Sequence, residues 1–593
     1  MVAVCTIPHQ HSQFVYTYSA HPDPVPDWVH LPDYERHQPE KALLHEVVRE
    51  SLETFLSNAS EQGAPVARFV ERETRAYLDC GILARGFIRL HCDACGRDRL
   101  LAFSCKGRAL CPSCGGRRMA DTAADLVDCV LPEVPVRQWV LTLPYPLRYR
   151  CAWDAKLTSE VLRAFMRSLF ADQRRRARIH HGAQQAQCGS VTAIQRFGSA
   201  LNLAPHFHSI VLDGVYGGPP HAPGPFLPLP PPTTGDVARV MAGTARRVMR
   251  LIKKRGLENE DDPLAADDPL LATLMAASVR SRIATGPEAG QPWHRLGDRV
   301  EPVEPLEGEA AARAKAPERC VREGGMSLHA DVSVAARDRN RLERLARYIL
   351  RSPICLDRLE AQPDGRLSYK LKTRWRDGTT HVLMERHELL ERLAPLVPPP
   401  RAHQVRYYGI LAPCASGRDQ VVPGARPEAT TASANNDRHR EAPCALVPTQ
   451  TCRQLDAKTV VPTPSTAAPK GGLSPSADHS SSQAAPAAQA AGLVQHATPH
   501  RPPSLRPRRL LWADLLKRVF GVEALRCECG HSMRVIAAIT EPTIASRILK
   551  CMGLPPRAPP LESAHTSGFA VDPWLEDPAD YDQSAPNNWE PGG

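Results

Sequence analysis

The stretch "LNLAPHFHSIVLDG" (residues 201–214) sets His206 and His208 one residue apart in an otherwise apolar run. A run of this kind is predicted to be a buried β-strand. Alternate side chains of a strand share a face, so both imidazoles point one way and Phe207 the other. Two readings are open at this point: a pair of hydrogen-bonded histidines, or two ligands aimed at one metal ion. The preceding "SVTAIQRFGSAL" (190–201) is expected to pair with this strand as a hairpin. It carries Gln195, the nearest candidate for a third ligand. If the turn centres on Leu203, Gln195 opposes Val211 and faces away from the histidines. A one-residue shift, or a bulge near Gly198, brings it to their face.

Downstream, residues 339–351 read "RNRLERLARYILR". On a helix of about 100° per residue, Leu342, Leu345, Ala346 and Ile349 form one apolar stripe. Tyr348 lies roughly 110° from its centre, on the side of Arg341, Arg344, Arg347 and Arg351. A flanking tyrosine can be structural, but guanidinium groups beside it suit a phosphate. With a divalent ion to polarise the phosphate, a tyrosine there could attack phosphorus and form a covalent link. Mg²⁺ and Mn²⁺ prefer oxygen to imidazole, so an oxygen donor such as Gln195 would ease the fit.

The chain has 593 residues, enough for roughly two to four domains. Its 57 prolines indicate much loop or linker beside the folded parts. The formal net charge is +10, concentrated in "RRRAR" (174–178), "RRVMRLIKKR" (246–255) and "RPRR" (506–509), while the end of the chain is acidic. Basic clusters favour polyanions, nucleic acid above all. The N-terminus lacks a signal-peptide pattern, and no apolar run of about 18 residues could span a membrane. An intracellular protein with reduced thiols is expected, so its 18 cysteines point to metal more than to disulfides.

"CDACGRDRLLAFSCKGRALCPSC" (92–114) places Cys92, Cys95, Cys111 and Cys114 as CxxC, fifteen residues, CxxC. That spacing predicts one structural zinc held by these four thiolates, with Cys105 a spare thiol that could substitute for one of them. Arg97, Arg99, Lys106, Arg108, Arg117 and Arg118 around it are candidate nucleic-acid contacts. A weaker echo, "CECGHSM" (527–533), offers Cys527, Cys529 and His531, half a ribbon.

The chain divides into an N-terminal helical region (1–80), a zinc-binding module (81–120) and a larger domain (121–413) interrupted by a proline-rich insertion (217–325). Between Tyr408 and Trp512 there is no aromatic residue, and 415–505 is expected to be a disordered linker. A small module (510–555) and a disordered acidic tail (556–593) follow.

Six blocks occur in one order: "FSCKGRALCPSC", "VRQWVLTLPYPLR", "QRFGSALNLAPHFHSIVLDGVY", "RLARYILRSPI", "LKTRWRDGTTHVL" and "HQVRYYGILAP". Together they resemble the transposases of the insertion-sequence-91 family over about residues 75–413, and 510–555 resembles their C-terminal segment. The resemblance implies an α+β protein: a zinc-ribbon-like N-terminal module, then an HUH endonuclease domain with a central antiparallel sheet flanked by helices. It makes His206 and His208 ligands of a catalytic Mg²⁺ or Mn²⁺, with Gln195 as third candidate, and Tyr348 the nucleophile. It implies cleavage of single-stranded DNA at element ends, a 5′-phosphotyrosine intermediate and rolling-circle-like transfer into target DNA. Arg341, Arg344, Arg351, Lys106 and Arg108 are the DNA-binding candidates. Structural Zn²⁺, self-association, and a bacterial cytoplasmic location near the nucleoid complete the expectation. Two-tyrosine members carry YxxxY on this helix; here Ser352 holds the second position, as in a single-tyrosine branch. The rival readings are an HUH replication initiator or relaxase, and a non-catalytic zinc-dependent DNA-binding protein.

Overall fold

The computed structural model describes residues 36–257, 262–297, 318–375, 377–424 and 510–564. The segment 425–505 of the expected linker, the tail beyond 564 and the first 35 residues lie outside the described residues. Two N-terminal helices, α1 (Leu43–Glu61) and α2 (Arg68–Leu78), lead into a hairpin, β1 (Phe87–His91) and β2 (Asp98–Ala102). Helix α3 (Pro112–Asp125) starts at Cys111, whose sulfur caps it by accepting from the Cys114 amide.

The larger domain is built on strands β3 (Val136–Thr142), β4 (Gly189–Phe197) and β5 (Leu203–Leu212). Helices α4 (Tyr145–Trp153) and α5 (Ala155–His181) connect β3 to β4. After β5 come α6 (Thr234–Lys254), α7 (Pro269–Arg280), β6 (Cys320–Glu323), β7 (Met326–His329) and α8 (Arg339–Leu350). A hairpin, β8 (Leu367–Lys370) and β9 (Thr379–Met384), precedes α9 (Arg386–Leu393) and β10 (Val405–Gly409). The C-terminal segment supplies α10 (Trp512–Phe520), β11 (Arg534–Ile539) and α11 (Pro542–Cys551).

The central sheet runs β6-β7-β3-β5-β4-β10, with Ser333–Val334 also paired to β3, and every pairing is antiparallel. Alternation along the strands decides what covers each face. Trp139, Leu141, Phe207 and Val211 pack against α5 and α6. Val136, Val191, Ala193, Ile210 and Leu212 pack against α8 and the turn at Leu126–Val130. His206 and His208 stand on this second face, in step with Ile210 and Leu212.

This α+β architecture, an antiparallel sheet between helices, is the fold class expected from the sequence. Helix α6 lies within the proline-rich insertion (217–325). Val237, Val240, Met241, Ala245 and Val248 of α6 share the core with α5 and β3, because α6 repeats its apolar residues at helical spacing. Residues 415–424, expected to start the linker, are ordered. The chain turns there at Arg418–Gln420 and buries Val421, and the Arg418 guanidinium donates to the Leu411 carbonyl. Among the described residues, no helix is long and apolar enough to cross a membrane.

Candidate active site and cysteine clusters

The hairpin turn at Gly198–Asn202 sets the register of β4 on β5. Gly198 donates to the Asn202 carbonyl, and a Cβ built on Gly198 would meet Asn202 Oδ1 at 2.2 Å, so the Asn202 side chain packs directly over this glycine. Leu201 takes a left-handed φ of 62°, and the register shifts between Gln195 and Phe197. The irregularity pairs Gln195 with His206 and turns it to the histidine face. On the other flank Thr142 of β3 also pairs with His206.

Both histidines are buried. Their Nε2 atoms stand 2.9 Å apart. His206 Nδ1–H donates to the Ala204 carbonyl at 2.6 Å, leaving the Nε2 lone pair directed inward. His208 Nδ1 accepts from Gln138 Nε2 at 2.8 Å, so its Nε2–H donates to His206. Burial pushes the His206 pKa down to about 4, and burial, His206 and Arg351 hold His208 well below the ordinary range. Both rings are therefore neutral and competent as ligands at neutral pH. The Gln195 amide nitrogen donates to the carbonyls of Tyr348 and Ile349 at 3.2 and 2.8 Å. Those two acceptors orient the amide, and Gln195 Oε1 is buried without a partner. Thr142 Oγ1 is likewise buried without one. Two orphaned oxygens thus flank His206 on neighbouring strands, and such atoms are costly to leave unpaired.

Helix α8 buries Leu342, Ala346 and Ile349, as its periodicity predicted. Tyr348 meets His208 edge-on, ring centroids 5.8 Å apart. Arg351 lies 5.3 Å from the tyrosine ring centre and 5.1 Å from that of Phe197. Lys372 Nζ lies 4.8 Å from the Tyr348 ring centre, its pKa lowered by partial burial and by Arg351 and Arg358. Gln138, Thr142 and Lys372 were not singled out from the sequence. The first two become visible only once β3 is placed beside β5, and Lys372 only once the β8–β9 connection is placed over α8. Arg341, Arg344 and Lys106 are exposed, whereas Arg108 is half-buried. Its guanidinium donates to the carbonyls of Pro398, Pro399 and Ala402. Ser352 packs on α3: a Cβ built on Gly115 would meet Ser352 Oγ at 2.7 Å.

The cysteines depart from the expected grouping of Cys92, Cys95, Cys111 and Cys114. Cys111 and Cys114 join Cys80 and Cys105, while Cys92 and Cys95 join Cys527 and Cys529; in each group the sulfurs lie within 4.8 Å of one another. The reason is the hairpin. Cys92 and Cys95 sit at its tip and Cys105 beyond the far end of β2, a strand of five residues spanning about 17 Å. One ion cannot bridge both ends. Cys80, placed just after α2, was missed, and Cys105 is not spare. In the first cluster Cys114 lies 3.7 Å from Cys80 and 3.5 Å from Cys105, and Cys111 lies 3.6 Å from Cys80. Hydrogen bonds from Cys105, Cys111 and Cys80 push the Cys114 thiol down, toward the thiolate that binds metal. Four thiolates around a tetrahedral zinc, at about 2.3 Å from it, stand about 3.8 Å apart, so the spacing suits zinc.

The family of description "Putative transposase" matches residues 189–231 and 232–419, and that of description "Transposase zinc-binding domain" matches residues 47–143. The first match runs through α6 and α7, each of which is packed into a buried core, α6 with α5 and α7 with α1 and α9. No curated protein and no solved structure matches the chain. The second match encloses Cys80, Cys105, Cys111 and Cys114, and the first encloses the histidine pair and Tyr348; in this order the two domains make the chain a member of the IS91-type transposases.

Proposed function

We propose that this transposase is an HUH single-strand DNA endonuclease and strand transferase that works through a 5′-phosphotyrosine link. One observation carries the reading: Gln195 shares the sheet face of His206 and His208 and is hydrogen-bonded to the backbone of Tyr348. The candidate ligand set and the candidate nucleophile are thereby held in one rigid unit. A positioned nucleophile gains from a fixed geometry of this kind.

The donor set fits a divalent cation. Cis ligands at about 2.1 Å from an octahedral ion stand about 3 Å apart, close to the separation of the two Nε2 atoms. Gln195 Oε1 would add the hard oxygen donor that Mg²⁺ or Mn²⁺ favours, and Thr142 Oγ1 would hold a water molecule nearby. His208 would then carry its proton on Nδ1, with the Gln138 amide turned so that its oxygen accepts. When bound, the ion supplies Lewis-acid polarisation of the scissile phosphate.

The protein groups perform the rest. The Tyr348 oxygen attacks phosphorus, the bond from phosphorus to the 3′-oxygen breaks, and that oxygen leaves with the electron pair. The phenolic proton passes through solvent to the 3′-oxygen, giving a free 3′-hydroxyl and a 5′-phosphotyrosine. Lys372 and Arg351, beside the ring, favour the charge developing on phosphate. One ester is exchanged for another, so a 3′-hydroxyl can reverse the step. With α3 closed over Ser352, the helix presents one tyrosine. The coupling of the two strand transfers then falls to a free hydroxyl or a second subunit.

Wild type and Tyr348→Phe, mixed with labelled single-stranded oligonucleotides from the element ends and Mn²⁺, test this on a denaturing gel. A covalent adduct with wild type alone is expected. An adduct with both proteins would move the nucleophile elsewhere. Tight binding without an adduct in either would favour a DNA-binding protein without catalysis.

A further inference from the structure

The second cysteine cluster joins opposite ends of the chain. Cys92 and Cys529 sulfurs lie 3.5 Å apart, as do those of Cys95 and Cys527, across 437 and 432 residues. The two segments that supply them are built alike. Cys92 N–H donates to the Arg97 carbonyl, and Gly96 N–H returns to the Cys92 carbonyl. Cys527 N–H donates to the His531 carbonyl, and Gly530 N–H returns to the Cys527 carbonyl. Gly96 and Gly530 both adopt left-handed φ values, 71° and 88°. Each segment is thus a tight knuckle that turns its two sulfurs inward, the arrangement by which short Cys pairs close a tetrahedral site.

The surroundings tie the same two segments together. Strand β11 pairs with β1 and extends the N-terminal hairpin into a three-stranded sheet. Trp512, Leu516, Val522 and Met533 share one small core with Leu90 and Leu101. Ion pairs Arg97–Glu528 and Arg534–Asp93 flank the knuckles.

We propose that Cys92, Cys95, Cys527 and Cys529 hold a second structural zinc ion, which staples the C-terminal segment to the N-terminal hairpin. The site lies partly outside the region matched by the zinc-binding family, since Cys527 and Cys529 fall beyond residue 143. Small sheets with cores of this size depend on such staples. The staple also reaches the tyrosine helix. From α10, Arg518 donates to Asp128 at 2.5 and 3.0 Å and to Glu343 of α8 at 2.7 Å.

Zinc content of the full-length protein, measured by inductively coupled plasma mass spectrometry, tests the assignment. Two ions per chain are expected in wild type and in Cys529→His, which keeps a ligand, and one in the double variant Cys527→Ser/Cys529→Ser. One ion in wild type, or two in the double variant, would overturn it. Should the double variant not fold, stepwise release of zinc from wild type by a mercurial reads the same number: two supports the site and one removes it. Hydrogen exchange checks the staple itself: amides of β11 should exchange at least tenfold faster in the double variant. Unchanged protection there, with the ion lost, would show that the metal does not hold the segment.

Discussion

The histidine site and the cysteine region solve the same problem, gathering ligands, by opposite routes. The three candidate ligands of the first, Gln195, His206 and His208, come from one hairpin, whose register alone brings them to one face. The two cysteine clusters draw on four separated stretches, and ligands adjacent in sequence serve with partners that are not. A site made by register tolerates change elsewhere in the molecule, whereas a site made by convergence depends on every segment that converges. The difference should be visible when each is damaged.

The largest effect is expected at the histidines. His206→Ala should lower strand cleavage on the order of a thousandfold, the equivalent of about 4 kcal/mol of lost electrophilic stabilisation. DNA affinity and zinc content should stay near wild type, since phosphate contacts elsewhere dominate binding. Single-turnover cleavage, zinc content and filter binding on one preparation check this; a variant that cuts at the normal rate would remove the metal-assisted reading. Damage at the first cysteine cluster should spread further. Cys111→Ser removes a ligand that also caps α3, and α3 packs on Ser352 at the end of the tyrosine helix. Cleavage should fall about tenfold or more, together with proteolytic protection of α3, although no histidine is touched. If α3 keeps its protection and cleavage is unaltered, the cluster is not a convergence point.

A buried carboxyl outside both regions provides a reference for pH effects. Burial raises Glu391 to about 7, against an ordinary 4.5, with Glu388 adding to the rise and a hydrogen bond from Thr285 opposing it. A folded-state pKa above the unfolded one means that the fold holds the extra proton. Its stabilisation is complete below about pH 4.5 and is lost as pH rises through 7, about 3 kcal/mol in all. Glu391→Gln should flatten the fall in urea midpoint between pH 5 and 8, equally in metal-loaded and chelated protein. A slope that changes only in the chelated protein would mean that this carboxyl is linked to the metal sites. The smallest effect is expected on the exposed arginines. Arg341→Ala and Arg344→Ala should each weaken single-stranded DNA binding a few-fold and lower the salt slope by about 0.7. An unchanged slope would take that face of α8 off the DNA path.

How much of this was legible depended on the range of the interaction concerned. The strand bearing His206 and His208 and the amphipathic stripe of α8 follow from periodicity within one segment, and the structure keeps them. Gln195 could be named from sequence but not oriented, because one residue of register decides its face and a bulge beside Gly198 set that register. Composition marked the insertion at 217–325 but not what it packs against. Its proline-rich entry resembles a linker, yet α6 behind it completes the core over α5. For the cysteines, paired spacing identified metal chemistry and then misled on partners. The glycine following Cys95 and Cys529 was the one local sign that the two knuckles match.

The sequence by itself determined the residue types and their periodicity: an HxH strand, an arginine-flanked tyrosine on a helix, CxxC pairs and an aromatic-free stretch. These are properties of neighbours a few positions apart, governed by backbone geometry that every strand and helix shares. Tertiary structure alone decided which strand lies beside β5, which face Gln195 takes, and which thiols meet across the chain. Those choices minimise exposed apolar surface and unpaired polar atoms over the whole molecule, and no local pattern encodes that sum.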